Sequence, residues 1–266
     1  MKISYLYKKI RENIIYFIFN LIYGKKFRIN VLLIGGQRCG STSMIQFLDQ
    51  SKDVITPKNN EQLFFFSNHF DMNNNYKKYH LKFMYNFLKK IGAKKIFAEK
   101  TPEYCLENIY LDRIYNYNND IKIIFIFRDP YKRIRSAFEL YKRLKYEGNF
   151  EKFINEDDKK FFVTKFSFYT DIYYRIFKRF KTENVLMMNL DDLNTDLTKT
   201  KITKFLNIDF MNFTISKTNS FSSGKSEQEY FKGINKKYGD SLQKDYKSFL
   251  DLFEKYEARF NEFYKI

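Results

Sequence analysis

The sequence predicts a three-layer α/β fold with a central, mostly parallel sheet and helices on both faces. Four short, continuous apolar runs, of the kind that form strands buried on both faces, lie at residues 29–35, 95–98, 122–127 and 184–189. Helical patterns alternate with these runs, which is the order expected of a parallel sheet. Because ligands bind beyond the carboxyl ends of such strands, the residues after each strand are the first candidates for a functional site.

Helices are predicted at 41–50 after the first strand, 76–91 before the second, 131–146 after the third, and 165–180 and 197–206 around the fourth. A terminal helix is predicted at 242–263, where apolar residues recur at helical spacing and should pack on the core. The polar stretches 68–75 and 147–160 are predicted to be surface loops, and 209–233 a less regular segment. The chain of 266 residues is long enough for one well-packed domain.

The formal net charge of +17 favours anionic ligands, nucleic acid or an acidic membrane as partners. The basic residues are scattered and form no Lys- or Arg-rich run, so we expect no nucleic-acid surface. Two cysteines are too few for a disulfide framework or a zinc site, and nothing else in the sequence points to a metal. We expect a cytoplasmic protein that is either free or bound at the inner face of a membrane.

Residues 1–27 are predicted to be an N-terminal helical segment, followed by a domain at 28–266. The apolar stretch from Ile14 to Tyr23 is shorter than the ~20 residues that cross a bilayer, and no small-residue cleavage site follows it. Lysines and arginines flank it on both sides. Residues 1–24 therefore suit either an amphipathic helix lying on an acidic membrane or a helix packed on the domain.

The stretch VLLIGGQRCGST, residues 31–42, has the layout of a phosphate-binding loop between a strand and a helix. Gly35, Gly40 and Thr42 match the G-x-x-x-x-G-K-[ST] spacing, but Ser41 stands where the lysine is expected. The glycines and the helix N-terminus still favour phosphate binding, while the positive charge moves three residues back to Arg38. This disfavours a kinase, which needs its cation on the β- and γ-phosphates beside magnesium.

A second phosphate site is predicted in FIFRDPYKRIRSAFELY, residues 125–141. Arg128 ends the third strand, Pro130 suits the first position of a helix, and Ser136 lies eight residues after the arginine. A guanidinium and a hydroxyl that converge at the end of a strand can bind a phosphate. Two such loops predict a ligand that carries phosphates at two separate places.

These motifs resemble those of the sulfotransferases that use 3′-phosphoadenosine 5′-phosphosulfate (PAPS). GGQRCGST is similar to the family's 5′-phosphosulfate loop, and RDP with its following serine is similar to the 3′-phosphate motif. NEQLFFF at 60–66 and AEKTPEYC at 98–105 resemble segments of the heparan-sulfate and bacterial carbohydrate branch, and NVLMMNLDDL and KITKFLNI its later strand and helix. The resemblance covers about residues 29–208 and implies a P-loop NTPase-like sulfotransferase fold.

The resemblance implies a role for each matching residue. Glu61 matches the general base, Arg38 takes the place of the leaving-group lysine, and Lys100 matches a second catalytic lysine. Arg128 and Ser136 would bind the 3′-phosphate, and a later loop, SFSSGKSEQEYFKG, would contribute Lys225. The 5′-phosphate would be held by the glycine-rich loop, namely by Gly36, Gln37, Arg38, Cys39, Gly40, Ser41 and Thr42.

The implied reaction is direct in-line transfer of a sulfuryl group from PAPS to a hydroxyl of a carbohydrate or glycolipid, without a metal. The acceptor side departs from the branch, since Asn60 replaces a lysine, and Leu63 and Phe66 stand where some members have a histidine and an aspartate. Two alternatives stay open: a nucleotide kinase-like P-loop phosphotransferase, and a nucleotide-binding protein without catalytic activity.

Overall fold

Five parallel strands form one central sheet in the computed structural model, in the order β2-β3-β1-β4-β5. The structure describes residues 28–67, 82, 83, 86, 96–209 and 227–266, and also residues 10, 11, 13, 14, 17, 18 and 21. Of residues 227–229 it describes the backbone only. The strands are β1 Val31–Gly35, β2 Val54–Ile55, β3 Ile96–Lys100, β4 Lys122–Phe127 and β5 Val185–Asn189. The predicted parallel α/β sheet is confirmed.

The four predicted strands are buried as their apolar runs require. All five residues of β1 are buried, and so are the last five of β4, which pairs with β1 from Val31–Lys122 to Gly35–Ile126. β3 continues two residues beyond its prediction, so that Glu99 and Lys100 are buried strand residues. The edge strand β2 was missed because two residues are too short to give a pattern.

The α-helices whose first and last residues are both described are α1 Ser41–Asp49, α2 Asn108–Tyr117, α3 Pro130–Arg143, α4 Phe150–Glu156, α5 Tyr169–Phe177, α6 Asp196–Leu206, α7 Glu227–Tyr238 and α8 Ser241–Tyr264. From β1 the chain moves to one edge of the sheet, whereas from β3 to β4 and on to β5 it moves towards the other. Because crossovers between parallel strands are right-handed, α1 lies on one face, and α2 and α5 lie on the opposite face.

The prediction of a surface loop at 147–160 was wrong. Asn149 caps α4 by accepting a hydrogen bond from the Lys152 amide at 2.8 Å, and Phe150 and Phe153 are buried. These rings belong to a second apolar cluster with Phe138 and residues of α7. The many charged residues of this stretch hide the helical spacing of its apolar ones. Likewise α7 begins at Glu227, inside the segment that was predicted to be less regular.

Other predictions fall largely outside the described residues, namely the loop 68–75, the helix 76–91 and most of 1–27. Within them, the described residues 10, 11, 13, 14, 17, 18, 21, 82, 83 and 86 are helical. In the described part of the chain, no helix combines the length and the apolar character needed to cross a membrane.

Candidate active site

The glycine-rich loop leaves β1 through a backbone conformation that only glycine adopts readily. Gly35 has φ 129°, and a Cβ there would lie 2.5 Å from the carbonyl oxygen of Ile126 on β4. Gly40, at the start of α1, has φ 87°, and Arg38 between them has φ 71°. No side chain caps α1, and the N-terminus of a helix favours an anion.

The two predicted phosphate motifs meet in the fold. Arg38 Nε donates a hydrogen bond of 3.1 Å to Ser136 Oγ on α3. Burial lowers the pKa of the Arg38 guanidinium, and the nearby charges of Arg143 and Arg128 lower it further. Three arginines therefore share this corner of the sheet. An anion would relieve their mutual repulsion.

Arg128, whose charge acts on Arg38, has an unsatisfied donor. Its Nε is buried and has no hydrogen-bond partner among the described residues. Its backbone is held in place, because the Tyr169 hydroxyl donates to the Arg128 carbonyl at 2.8 Å. A buried donor without a partner costs free energy, and a bound acceptor group would recover that cost.

Lys100, at the carboxyl end of β3, reaches the first turn of α1. Its Nζ donates to Thr42 Oγ1 at 2.7 Å, and the residue is only 6% exposed. Burial lowers the pKa of the Lys100 ammonium. Lys100 therefore stands beside the glycine-rich loop as a second buried cation.

Glu61 lies in a loop that β3 and the turn after it hold in place. The amide of Phe66 donates to the Tyr104 hydroxyl at 3.3 Å, and that hydroxyl donates to Glu99 Oε1 at 2.9 Å. The amide of Phe64 donates to Thr101 Oγ1 at 3.5 Å. The segment AEKTPEYC thus supplies Lys100 and also fixes the loop that carries Glu61.

The carboxylate of Glu61 forms an ion pair with Lys82, whose Nζ lies 2.9 and 3.1 Å from the two oxygens. Both side chains are about two-fifths exposed. Two nearby residues fix the position of Lys82, since Phe83 packs edge-on against Phe97 of β3 and Asn86 donates to the carbonyl of Thr56 at 3.1 Å. Nothing in the sequence singled out Lys82 among so many lysines.

Beneath the glycine-rich loop lies Arg133, a fully buried arginine that the sequence reasoning also missed. Its Nη1 donates to the Gln37 carbonyl at 3.3 Å and its Nε to Ser167 Oγ at 2.7 Å. Cys39 is also fully buried, with its sulfur 3.8 Å from the Tyr169 hydroxyl. Burial raises the pKa of the Cys39 thiol. The second cysteine, Cys105, is likewise free and buried.

Most of the predicted site residues come together at the carboxyl end of the sheet. Arg38, Arg128 and Ser136 form one group, and Lys100 bonds to Thr42 in the first turn of α1. Gly36, Gln37, Cys39, Gly40 and Ser41 form the loop and the start of α1. Glu61 contacts Lys82 rather than either group. Lys225 lies outside the described residues.

A parallel sheet with a glycine-rich, cation-lined loop at its switch point defines an α/β protein with a P-loop-like fold. The chain belongs to the sulfotransferase domain family, whose pattern matches residues 28–260.

Solved structures of sulfotransferases share the fold. A sulfotransferase from Alicyclobacillus acidocaldarius is similar with a TM-score of 0.60 and 15% identity, over 90% of this chain and 96% of that one. A sulfotransferase from Mycobacterium avium gives a TM-score of 0.53 and 12% identity, over 89% and 81% of the two chains. Among curated protein sequences there is no match.

Proposed function

We propose that this protein transfers a sulfuryl group from PAPS to a hydroxyl of a carbohydrate or glycolipid. The observation that carries the proposal is the set of buried or half-buried cations around the loop, Arg38, Lys100 and Arg128. Among the described residues none of the three is hydrogen-bonded to a carboxylate. Burying positive charge without a carboxylate partner is unfavourable, and a bound anionic ligand would offset that cost.

The place of Lys100 favours sulfuryl transfer over the phosphotransferase alternative. In P-loop NTPases the hydroxyl that follows the loop lysine holds magnesium. Here the matching hydroxyl, Thr42 Oγ1, accepts a hydrogen bond from Lys100, so an ammonium already stands beside it. Together with Ser41 in the lysine position, this supports chemistry driven by side-chain cations.

Each of these residues would have a role in a single in-line transfer step. The amide groups of the loop would bind the 5′-phosphate, and Arg128 and Ser136 the 3′-phosphate. The acceptor oxygen forms a bond to sulfur while the bond from sulfur to the 5′-phosphate oxygen breaks, and adenosine 3′,5′-bisphosphate leaves. Glu61 would take the hydroxyl proton, and Arg38 and Lys100 would stabilise the negative charge that develops on the leaving oxygen.

The proposed acceptor class rests on the resemblance of NEQLFFF and AEKTPEYC to the carbohydrate branch. The buried Phe66 has a structural part in this loop, because its ring packs edge-on against Tyr104 and Tyr117. The half-buried Leu63 and Phe64 and the exposed Gln62 are side chains of this loop that can contact an acceptor.

The test is to compare ligands by thermal stabilisation. Adenosine 3′,5′-bisphosphate without metal should stabilise the wild type, whereas ATP with magnesium should have little effect. A labelled sulfuryl group should then be transferred from PAPS to members of a panel of saccharides and glycolipids. Stabilisation by ATP with magnesium, but not by the bisphosphate, would favour the phosphotransferase. Binding of the bisphosphate without transfer to any hydroxyl acceptor would favour the non-catalytic alternative.

We also propose that the chain divides at residue 27, and that residues 1–24 contact the inner face of a membrane peripherally. Large apolar side chains that are 38–76% exposed recur at helical spacing on one side of this segment, at Ile10, Ile14, Phe17, Ile18 and Leu21. Full-length protein should float with vesicles that contain anionic lipid, and a chain lacking residues 1–24 should not. Equal flotation of the two would contradict this contact.

A further inference from the structure

We propose that Arg133 is a positioning residue that holds the glycine-rich loop in its anion-binding shape; the role rests on the proposed function. The stem of Arg133 packs under the loop so closely that a Cβ on Gly36 would lie 2.9 Å from Arg133 Cδ. Its guanidinium donates to the Gln37 carbonyl at 3.3 Å. Arg133 therefore contacts two successive residues of the loop from the buried side.

The bond to Gln37 sets the direction of the next amide group. In a trans peptide unit the carbonyl and the N–H point in opposite directions. Because Gln37 turns its carbonyl oxygen down to Arg133, the N–H of Arg38 in the same peptide unit points away from the buried side. An N–H that projects from the loop in this way is the element that binds an anion.

The remaining donors of the Arg133 guanidinium bond to the segment that precedes α5. Its Nε donates to Ser167 Oγ at 2.7 Å and its Nη2 donates to the carbonyl of Val163. The buried carboxylate of Asp157 in turn accepts hydrogen bonds from the amides of Val163 and Thr164, at 2.6 and 2.9 Å. The loop is thus tied through Arg133 to the segment before α5, although the two are far apart in sequence.

A fully buried guanidinium needs acceptors for its donors, so movement of the loop would leave one of them unsatisfied. Arg133 itself is 0% exposed and cannot reach a ligand bound at the loop without leaving these contacts. It therefore acts through the geometry of the loop, in contrast to Arg38 and Arg128, which line the site.

The experiment measures by calorimetry the affinities of two ligands, adenosine 3′,5′-bisphosphate and 3′-AMP, which lacks the 5′-phosphate. Arg133→Met should weaken the bisphosphate by roughly tenfold or more, since a misplaced site loses most of its favourable contacts, and should change the affinity for 3′-AMP by less than about twofold. The matched control is Lys201→Met, which removes another buried cation, paired with Glu257 on α8. It should lower Tm and leave both affinities unchanged.

Equal binding of the bisphosphate by wild type and Arg133→Met, below the Tm of both, would reduce Arg133 to a structural role and overturn the inference. Failure of the wild type to bind the bisphosphate would overturn the proposed function, and this role with it. If Arg133→Met does not fold, Ser167→Ala removes a single acceptor of the guanidinium. That variant should show the same selective loss at about two- to threefold, and unchanged affinities would overturn the inference.

Discussion

Replacing Arg128 by methionine should stabilise the free protein while removing most of its stabilisation by ligand. Arg128 Nε is a buried donor without a partner among the described residues, and its charge also disfavours that of Arg38. Methionine keeps much of the aliphatic stem and removes both liabilities. The hydrogen bond from Tyr169 goes to the Arg128 carbonyl and is independent of the side chain.

The expected gain follows from the cost of an unsatisfied buried donor, about 1–3 kcal/mol. For a chain of this size each kcal/mol shifts Tm by roughly 2–4 °C, so the variant should melt several degrees higher than the wild type. A ligand at one hundred times its Kd adds about 2.7 kcal/mol to the wild type. In the variant most of that increment should vanish, because the 3′-phosphate loses its principal cation.

Melting curves of both proteins, with and without adenosine 3′,5′-bisphosphate, measure these two opposite effects. The control is Arg179→Met, since Arg179 Nε donates to Asp112 at 2.6 Å and its side chain is 10% exposed. Losing satisfied bonds should lower Tm and preserve the ligand response. The reasoning fails if Arg128→Met lowers Tm in the absence of ligand, or if its Tm still rises with the bisphosphate as in the wild type.

Three further outcomes are expected. Glu61→Gln should keep its affinity for the bisphosphate but slow sulfuryl transfer by about 10²-fold or more in single-turnover assays, and unchanged transfer would remove Glu61 from the base role. Gly35→Ala should lose roughly 3 kcal/mol or more in urea denaturation, because its Cβ would meet the Ile126 carbonyl oxygen at 2.5 Å. Gly239→Ala, at φ 53° in open space, should lose only about 1 kcal/mol, and equal losses would contradict the argument. The third outcome concerns pH. Because burial lowers the pKa of Lys100, its ammonium loses its proton before an ordinary lysine does. Between that lowered pKa and the ordinary value of 10.5, the unfolded chain binds more protons than the folded one. Stability without ligand should therefore gain a contribution as pH rises through this range, while affinity for PAPS falls. In Lys100→Met both trends should be weaker, and identical pH profiles would refute this role of burial.

The sequence predicted the parts of the site that depend on local backbone requirements. Gly35 and Gly40 are where they are because the chain needs left-handed turns there, and such needs show directly as glycines at fixed spacing. The strand ends could be located from apolar runs, and parallel strands bring their ends to one edge. The hydrogen bond between Arg38 and Ser136, 98 residues apart, follows from these two facts together.

The contacts that the sequence did not reveal depend on tertiary packing. Lys82 reaches Glu61 because Phe83 docks on Phe97, and no local pattern distinguishes this lysine from others. Arg133 lies in a run of cationic residues on α3, and only the direction of its side chain separates it from its exposed neighbour Lys132. Side chains of this kind acquire their roles from what the fold places against them.

The burial of both native thiols makes the chain suitable for labelling without prior removal of cysteines. Cys39 and Cys105 are the only two in the sequence, both are 0% exposed, and burial raises the pKa of Cys105 to about 12. Thiolate is the reactive form, so maleimides should modify neither at neutral pH. A fluorophore on a cysteine placed at Lys225 would then report whether that part of the chain approaches the nucleotide during turnover.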